Sequence, residues 1–270
     1  MDVQTILVVG AGLMGGGIAQ VAAQNGYGVI LHDMSDDLVE KGYERIAGLL
    51  ESKVRKGRIT AGDREATLAR IRTTSRLEVA REVDLVIEAA YEHLEVKRDI
   101  FERLDNLCPG ETIFASNTSS IPISTLATAT KRPDRFIGMH FFSPVPLMRL
   151  VEIIRGLKTS EETVQTAEAV AVRMQKETVR VKDVPGFLVN RINAAFRAEA
   201  FRCLLEGVAS LEDIDKAVRM GLNHPVGPFE LADFVGLEIG LSVFRTLYEG
   251  YKDPKFAPPL ILEKMVQGGD

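Results

Sequence analysis

One histidine and one glutamate interrupt the apolar stretch GMHFFSPVPLMRLVEII at residues 138–154: His140 and Glu152, twelve residues apart and equidistant from Pro146. Neither suits a buried strand without a partner, because an unpaired polar group taken out of water costs roughly 1–3 kcal/mol and a lone charge more. If the chain doubles back at the prolines, the two side chains face one another across adjacent segments. A carboxylate on one ring nitrogen fixes the tautomer, raises the basicity of the other nitrogen and stabilises the imidazolium. Those are the needs of a general base for an alcohol proton. A satisfied core histidine is the plainer alternative, and the pair by itself leaves both open.

A second chemical signal lies near the start. GAGLMG at 10–15 follows the apolar run TILVV and opens a helical pattern. Gly10 permits the tight turn, Gly12 lets a pyrophosphate approach backbone N–H groups, Gly15 lets helix and strand pack closely, and Leu13 and Met14 complete the loop. Asp33, twenty-one residues after Gly12, ends the next apolar run. A carboxylate there accepts hydrogen bonds from both ribose hydroxyls and repels a 2′-phosphate, and Met34, Ser35 and Asp36 offer no arginine to hold one, which favours NAD over NADP. FAD competes on the motif alone, as does a turn with an N-capping aspartate and no ligand. Two further polar stretches stand in apolar surroundings: SNTSSIPIS at 116–124, expected on the ligand-binding edge of a sheet, and DVPGFLVNR at 183–191, which carries Asn190. A helix N-cap and a surface helix residue are their plain readings.

The elements that must position these residues alternate. TILVV at 5–9, VILHD at 29–33, DLVIEA at 84–89 and TIFAS at 112–116 are short apolar runs separated by helical patterns, including one long charged amphipathic stretch from after Asp33 to about residue 71. That alternation predicts an α/β fold with a parallel, doubly wound sheet. From RFIGMH at 135 the runs close up, ending in TVRVKD at 178–183. Beyond VPGF at 184–187 only helical spacing remains, in INAAFRAEAFRCLLEG, LEDIDKAVRMG and FELADFVGLEIGLSVFRTLYEGY, and SLED at 210–213 resembles a capping box. The expected organisation is therefore a sheet domain over 1–183 and a smaller all-helical domain over 184–270.

With 46% hydrophobic residues and mixed charge, the composition is that of a globular protein. A net charge of −5 without a block of consecutive basic residues argues against nucleic acid, and no stretch approaches a membrane span. No signal-peptide pattern opens the chain, so the cytoplasm is expected. Cys108 and Cys203 are isolated, without metal-ligand spacing, and read as reduced packing residues; no metal is expected.

Taken together, GAGLMGGGIAQ, EAAYEHLEVKRDIF, FASNTSS, GMHFFSPVPLMRLVEII, DVPGFLVNRI and NHPVGPFELADFVGL resemble the L-3-hydroxyacyl-CoA dehydrogenase family, in order, from residue 3 to about 266. The resemblance implies a Rossmann-type NAD domain, a helical substrate and dimerisation domain, and oxidation of an acyl-CoA thioester in fatty-acid metabolism, most closely 3-hydroxybutyryl-CoA in β-oxidation. It implies His140 as base and Glu152 as its orienting partner, with Ser119 and Asn190 beside the reacting oxygen. It places Asp33, Glu92, Lys97, Ser119 and Ser143 at the cofactor, and Lys56 at the coenzyme A phosphates. Ser143 stands where the family usually has Asn in HFFNP, so the nicotinamide contact must be made from farther away. Relatives also continue past a segment like LEKMVQGG into a tail with an NAD-contacting lysine, whereas this sequence stops at Asp270; a truncated chain or one that manages without the tail is expected. A dehydrogenase of free hydroxy acids and a non-catalytic NAD-binding relative are the alternatives.

Overall fold

The run TILVV forms β1 (Thr5–Val9), with four of its five residues buried, as expected of a strand covered by helices on both faces. The computed structural model describes residues 2–269; the expected outer domain bounds, Met1 and Asp270, lie outside them. After β1 come α1 (Leu13–Gln24), β2 (Gly28–His32), α2 (Asp36–Arg55), α3 (Ala61–Leu68), β3 (Ile71–Thr74), β4 (Leu85–Glu88), α4 (Leu94–Leu107), β5 (Ile113–Ser116), α5 (Ile123–Ala127), β6 (Phe136–Phe141), β7 (Leu150–Arg155), α6 (Glu161–Arg173) and β8 (Glu177–Lys182). They build one eight-stranded sheet in the order β3-β2-β1-β4-β5-β6-β7-β8. β1 to β6 are parallel, β7 runs antiparallel to β6, and β8 is parallel to β7. The strand order reverses between β1 and β4, and ligands of such sheets bind outside the carboxyl ends at that point.

The expected single amphipathic stretch after Asp33 is in fact two helices. α2 ends at Arg55 with Lys56 as its C-cap, Gly57 takes a left-handed φ of +64°, and Thr60 with Asp63 forms a reciprocal capping box that starts α3. The edge strand β3 then follows, which sequence periodicity missed because IRTT has four residues and only Ile71 is buried. Asp33 lies one residue beyond the end of β2 rather than within it.

Contacts divide the chain after Asp183. The second unit contains α7 (Val189–Leu205), α8 (Leu211–Gly221), α9 (Pro228–Val235), α10 (Leu237–Tyr251) and α11 (Leu260–Gly268). Its core gathers Phe201, Phe229, Leu241, Phe244, Leu247, Phe256 and Leu262. The pattern FELADFVGLEIG, expected to run on as helix, breaks at Gly236, whose φ of +93° separates α9 from α10. NHPVGPFE gains a physical meaning here. Buried Asp215 accepts from the backbone N–H of Phe229 at 2.9 Å and of Glu230 at 3.0 Å, and a Cβ on Gly227 would lie 2.2 Å from the Asp215 carboxyl carbon. At SLED, Ser210 accepts from the Asp213 N–H at 3.2 Å, but the Asp213 carboxylate takes the Ser210 hydroxyl.

Candidate active site

Hairpin geometry brings the two interrupting side chains together. In the antiparallel β6–β7 ladder His140 stands directly opposite Glu152, so both project from the same face. His140 Nδ1 lies 2.7 Å from Glu152 Oε2, with the carboxylate fully buried and the ring 6% exposed. The Phe142 ring packs 4.6 Å from the imidazole, centre to centre. Two residues that the sequence reading did not single out hold this hairpin. Asn117, after β5, accepts the Phe141 N–H on Oδ1 at 2.9 Å and donates its own N–H to the Glu88 carbonyl at 2.7 Å. Buried Lys176 donates to the carbonyls of Val145 (2.5 Å) and Met148 (2.7 Å) in the connecting loop. Burial lowers the basicity of its ammonium, and the nearby charge of Lys53 adds to this.

The SNTSS loop is governed by Glu92. Its Oε1 accepts from the Thr118 hydroxyl (2.5 Å), the Ser119 N–H (2.9 Å) and the Ser120 hydroxyl (3.0 Å), with the Ser120 N–H at 3.2 Å and the Ser119 hydroxyl at 3.4 Å. Burial works to raise this carboxyl, but the charge of Lys97 and these hydrogen bonds outweigh it and hold Glu92 below the usual carboxylate range. The N-cap reading of the serines fails: Pro122 caps α5, and the first amides of that helix, Ile123 and Ser124, donate to Asp183 at 2.9 and 2.7 Å. Lys97, expected at the cofactor, is 1% exposed. Its ammonium lies 2.6 Å from Glu88 Oε1, 3.2 Å from Glu92 Oε2 and 3.3 Å from the Ala90 carbonyl, while Ser116 donates to the other Glu88 oxygen at 2.6 Å. Lys97 thus supports Glu92 from beneath.

At the glycine turn the three positions separate by the space around them. Gly10 has φ +104°, and a Cβ there would meet the Ala89 carbonyl oxygen at 2.5 Å; one on Gly15 would meet the Gly10 oxygen at 1.8 Å; beside Gly12 nothing lies within 4 Å. Gly12 therefore leaves the space beside it open, with room for a diphosphate, while its neighbours shape the turn. Asp33 accepts from the Ala11 N–H and the Met34 N–H, both at 2.7 Å, one on each oxygen, which fixes its carboxylate beside the turn. Leu13 (75% exposed), Met34 (85%) and Tyr91 (78%) follow the carboxyl ends of β1, β2 and β4 as exposed apolar walls, with Met14 partly buried behind. Ser143 is exposed in the β6–β7 loop. Lys56 sits exposed at the C-terminal end of α2, about 21 Å along the helix from Gly42, where a Cβ would lie 2.7 Å from the Ala11 carbonyl oxygen of the glycine turn. Burial lowers the basicity of neighbouring Lys53, helped by the charge of Arg58, and Lys53, Arg55, Lys56 and Arg58 place four cationic side chains within six residues. Asn190, in the other unit, is the second residue of α7 and half-buried.

Known proteins are similar to this chain along nearly all of its length. Residues 5–184 match the 3-hydroxyacyl-CoA dehydrogenase, NAD binding domain, and residues 186–270 match the 3-hydroxyacyl-CoA dehydrogenase, C-terminal domain. The probable 3-hydroxybutyryl-CoA dehydrogenase of Bacillus subtilis is 45% identical over 269 residues, covering 100% of this chain and 94% of the relative. That of Deinococcus radiodurans is 47% identical over 262 residues, 97% of this chain and 94% of its own. The crystal structure of (S)-3-hydroxybutyryl-CoA dehydrogenase from Ralstonia eutropha superposes with a TM-score of 0.97 at 45% identity, over 99% of this chain and 95% of that one. With both domains matched and relatives this similar along their length, the chain belongs to the NAD-dependent 3-hydroxyacyl-CoA dehydrogenase family.

Proposed function

We propose that this enzyme interconverts short-chain (S)-3-hydroxyacyl-CoA and 3-oxoacyl-CoA, 3-hydroxybutyryl-CoA among them, with His140 as the general base. The observation that carries the reading is the buried 2.7 Å bond between His140 and Glu152. Because Glu152 holds Nδ1, the proton of the C3 hydroxyl goes to Nε2, and the carboxylate stabilises the imidazolium that results. NAD, when bound, supplies the acceptor for the hydride that leaves C3. Ser119 and Asn190 are the donors assigned to the C3 oxygen, where they count most as charge develops; Glu92 keeps the Ser119 loop in one conformation. The diphosphate of the cofactor belongs at Gly12, its adenosine ribose at Asp33, and the nicotinamide end near Glu92 and Ser143, with Lys97 behind Glu92. The positive corner at Lys56 suits the coenzyme A phosphates. An absorbance assay of NADH oxidation with acetoacetyl-CoA and longer 3-oxoacyl-CoAs tests the reading. Turnover falling with chain length supports it, and equal turnover with free 3-oxo acids contradicts the thioester assignment.

Asp33 sets the cofactor preference. NADH is expected to be used much better than NADPH, and Asp33→Ala to narrow the gap, since the carboxylate repels a 2′-phosphate. Equal kcat/KM with both cofactors in the parent would refute this.

The helical unit exposes Ile192 (62%), Met220 (78%), Phe234 (75%) and Ile239 (59%). Apolar surface in this quantity supports a homodimer formed through that unit. Light scattering at micromolar concentration is expected to give twice the chain mass, and a monomer would contradict it. Among the described residues no helix is long and apolar enough to cross a membrane, and both cysteines are free. Free thiols suit a reducing compartment such as the cytoplasm. Burial pushes the Cys108 thiol up to about 12, which makes it an inert packing group.

A further inference from the structure

The loop between the His140 and Glu152 strands is held by a cation that has no anion. Lys176, immediately before β8, is 7% exposed and donates to the carbonyls of Val145 at 2.5 Å and Met148 at 2.7 Å, and among the described residues no carboxylate pairs with it. A buried ammonium held by neutral acceptors keeps its charge at a cost, and a second cation nearby makes that cost larger. Lys53 is the second cation: burial first, and then the charge of Lys53, lowers the basicity of Lys176.

The same loop rests on the cofactor helix. A Cβ on Gly17, in the second turn of α1, would lie 2.9 Å from Val145 Cβ and 3.6 Å from Pro146 Cδ, so loop and helix backbone meet with no side chain of α1 between them. α1 opens at Gly12, and the loop joins the strand of His140 to the strand of Glu152. Lys176 on one side and α1 on the other therefore fix how the His140–Glu152 hairpin sits against the glycine turn.

We propose that Lys176 is a positioning residue through which coenzyme A acts on the chemical step: phosphates bound beside Lys53 offset its repulsion of the Lys176 ammonium, which then holds the Val145–Met148 loop firmly and sets His140 and Ser143 against the cofactor. This deepens the function proposed above and rests on the assignment of the coenzyme A phosphates to Lys56, which lies three residues from Lys53, one turn away at the end of α2. Binding energy from the part of the substrate that does not react is then realised in kcat and not in KM alone.

The test compares acetoacetyl-CoA with S-acetoacetyl-pantetheine, which carries the same acyl group and thioester arm without phosphates. NADH oxidation is followed at saturating NADH in the parent, in Lys53→Gln and in Lys176→Met, with NADH affinity measured by fluorescence on each. The parent is expected to show a kcat at least ~10-fold higher with the CoA thioester. Lys53→Gln removes the repulsion, so it should raise kcat on the pantetheine thioester by at least ~3-fold, the reverse of what losing a phosphate ligand does. Lys176→Met should bring kcat on the CoA thioester to within ~2-fold of that on the pantetheine thioester, while the lower KM of the CoA thioester and the NADH affinity stay near those of the parent. A lysine that only stabilises the fold would lower kcat on both thioesters alike and leave their ratio standing, which overturns the coupling. An unchanged or lower kcat on the pantetheine thioester in Lys53→Gln overturns it too, whether or not Lys176→Met folds. Equal kcat on the two thioesters in the parent, with a lower KM for the CoA thioester, removes this proposal alone; equal KM as well removes the Lys56 assignment, and no turnover on either removes the dehydrogenase reading.

Discussion

Glu152→Gln is expected to give a folded protein that binds NADH about as tightly as the parent and turns over at least ~100-fold more slowly, the low end of what general-base catalysis is worth. The amide oxygen can still accept from Nδ1, so the ring keeps its orientation on β6. What is lost is the negative charge, 2.7 Å away and fully buried, that stabilises the imidazolium when the hydroxyl proton arrives. The substitution touches neither the glycine turn nor Asp33, which is why cofactor affinity serves as the internal control. Should the pair be only a structural bridge, the result inverts. The variant would then lose stability, by about 3–5 kcal/mol if a charge is stranded, and its folded fraction would turn over like the parent. Turnover, NADH affinity and melting temperature on one preparation separate the two.

Lys97→Met is expected to destabilise the sheet domain severely. It leaves Glu88, fully buried, with no cation at 2.6 Å, and it removes the positive charge that helps lower the Glu92 carboxyl. Breaking a buried pair from one side costs about 3–5 kcal/mol, and at ~2–4 °C per kcal/mol for a chain of this size the melting temperature should fall by about 10 °C. The double variant Glu88→Gln/Lys97→Met should recover much of that loss, because the stranded charge is gone. Calorimetry on the single and double variants checks this; an unchanged melting temperature in Lys97→Met would mean that the pair contributes nothing. Since Glu92 gathers the Thr118, Ser119 and Ser120 donors, a raised KM should accompany the loss of stability.

Legibility in the sequence tracked how local each arrangement is. The strand-turn-helix at the glycine motif and the facing of His140 and Glu152 are both short-range: six residues on either side of Pro146 become a direct ladder pair once the chain reverses. The helical unit was visible from its 3.6-residue spacing, although Gly236 divided one apparent helix in two through a positive φ that periodicity does not encode. What stayed hidden depends on tertiary neighbours. Lys97 carries a charge on an amphipathic helix, and only the placement of β4 beside α4 shows that its ammonium is buried against Glu88. Asn117 and Lys176 act through backbone groups of distant segments, for which a sequence offers no spacing rule. Strand β3 has one buried residue and no alternation long enough to register.

Single-turnover stopped flow decides the role of His140 most directly. Enzyme saturated with NADH is mixed with saturating acetoacetyl-CoA, and the loss of nicotinamide fluorescence is followed in the parent and in His140→Gln. With His140 exchanging the proton of the C3 oxygen, the variant should oxidise its bound NADH at least ~100-fold more slowly while binding both partners. A transient within a few-fold of the parent's would contradict that role and assign the proton to another group.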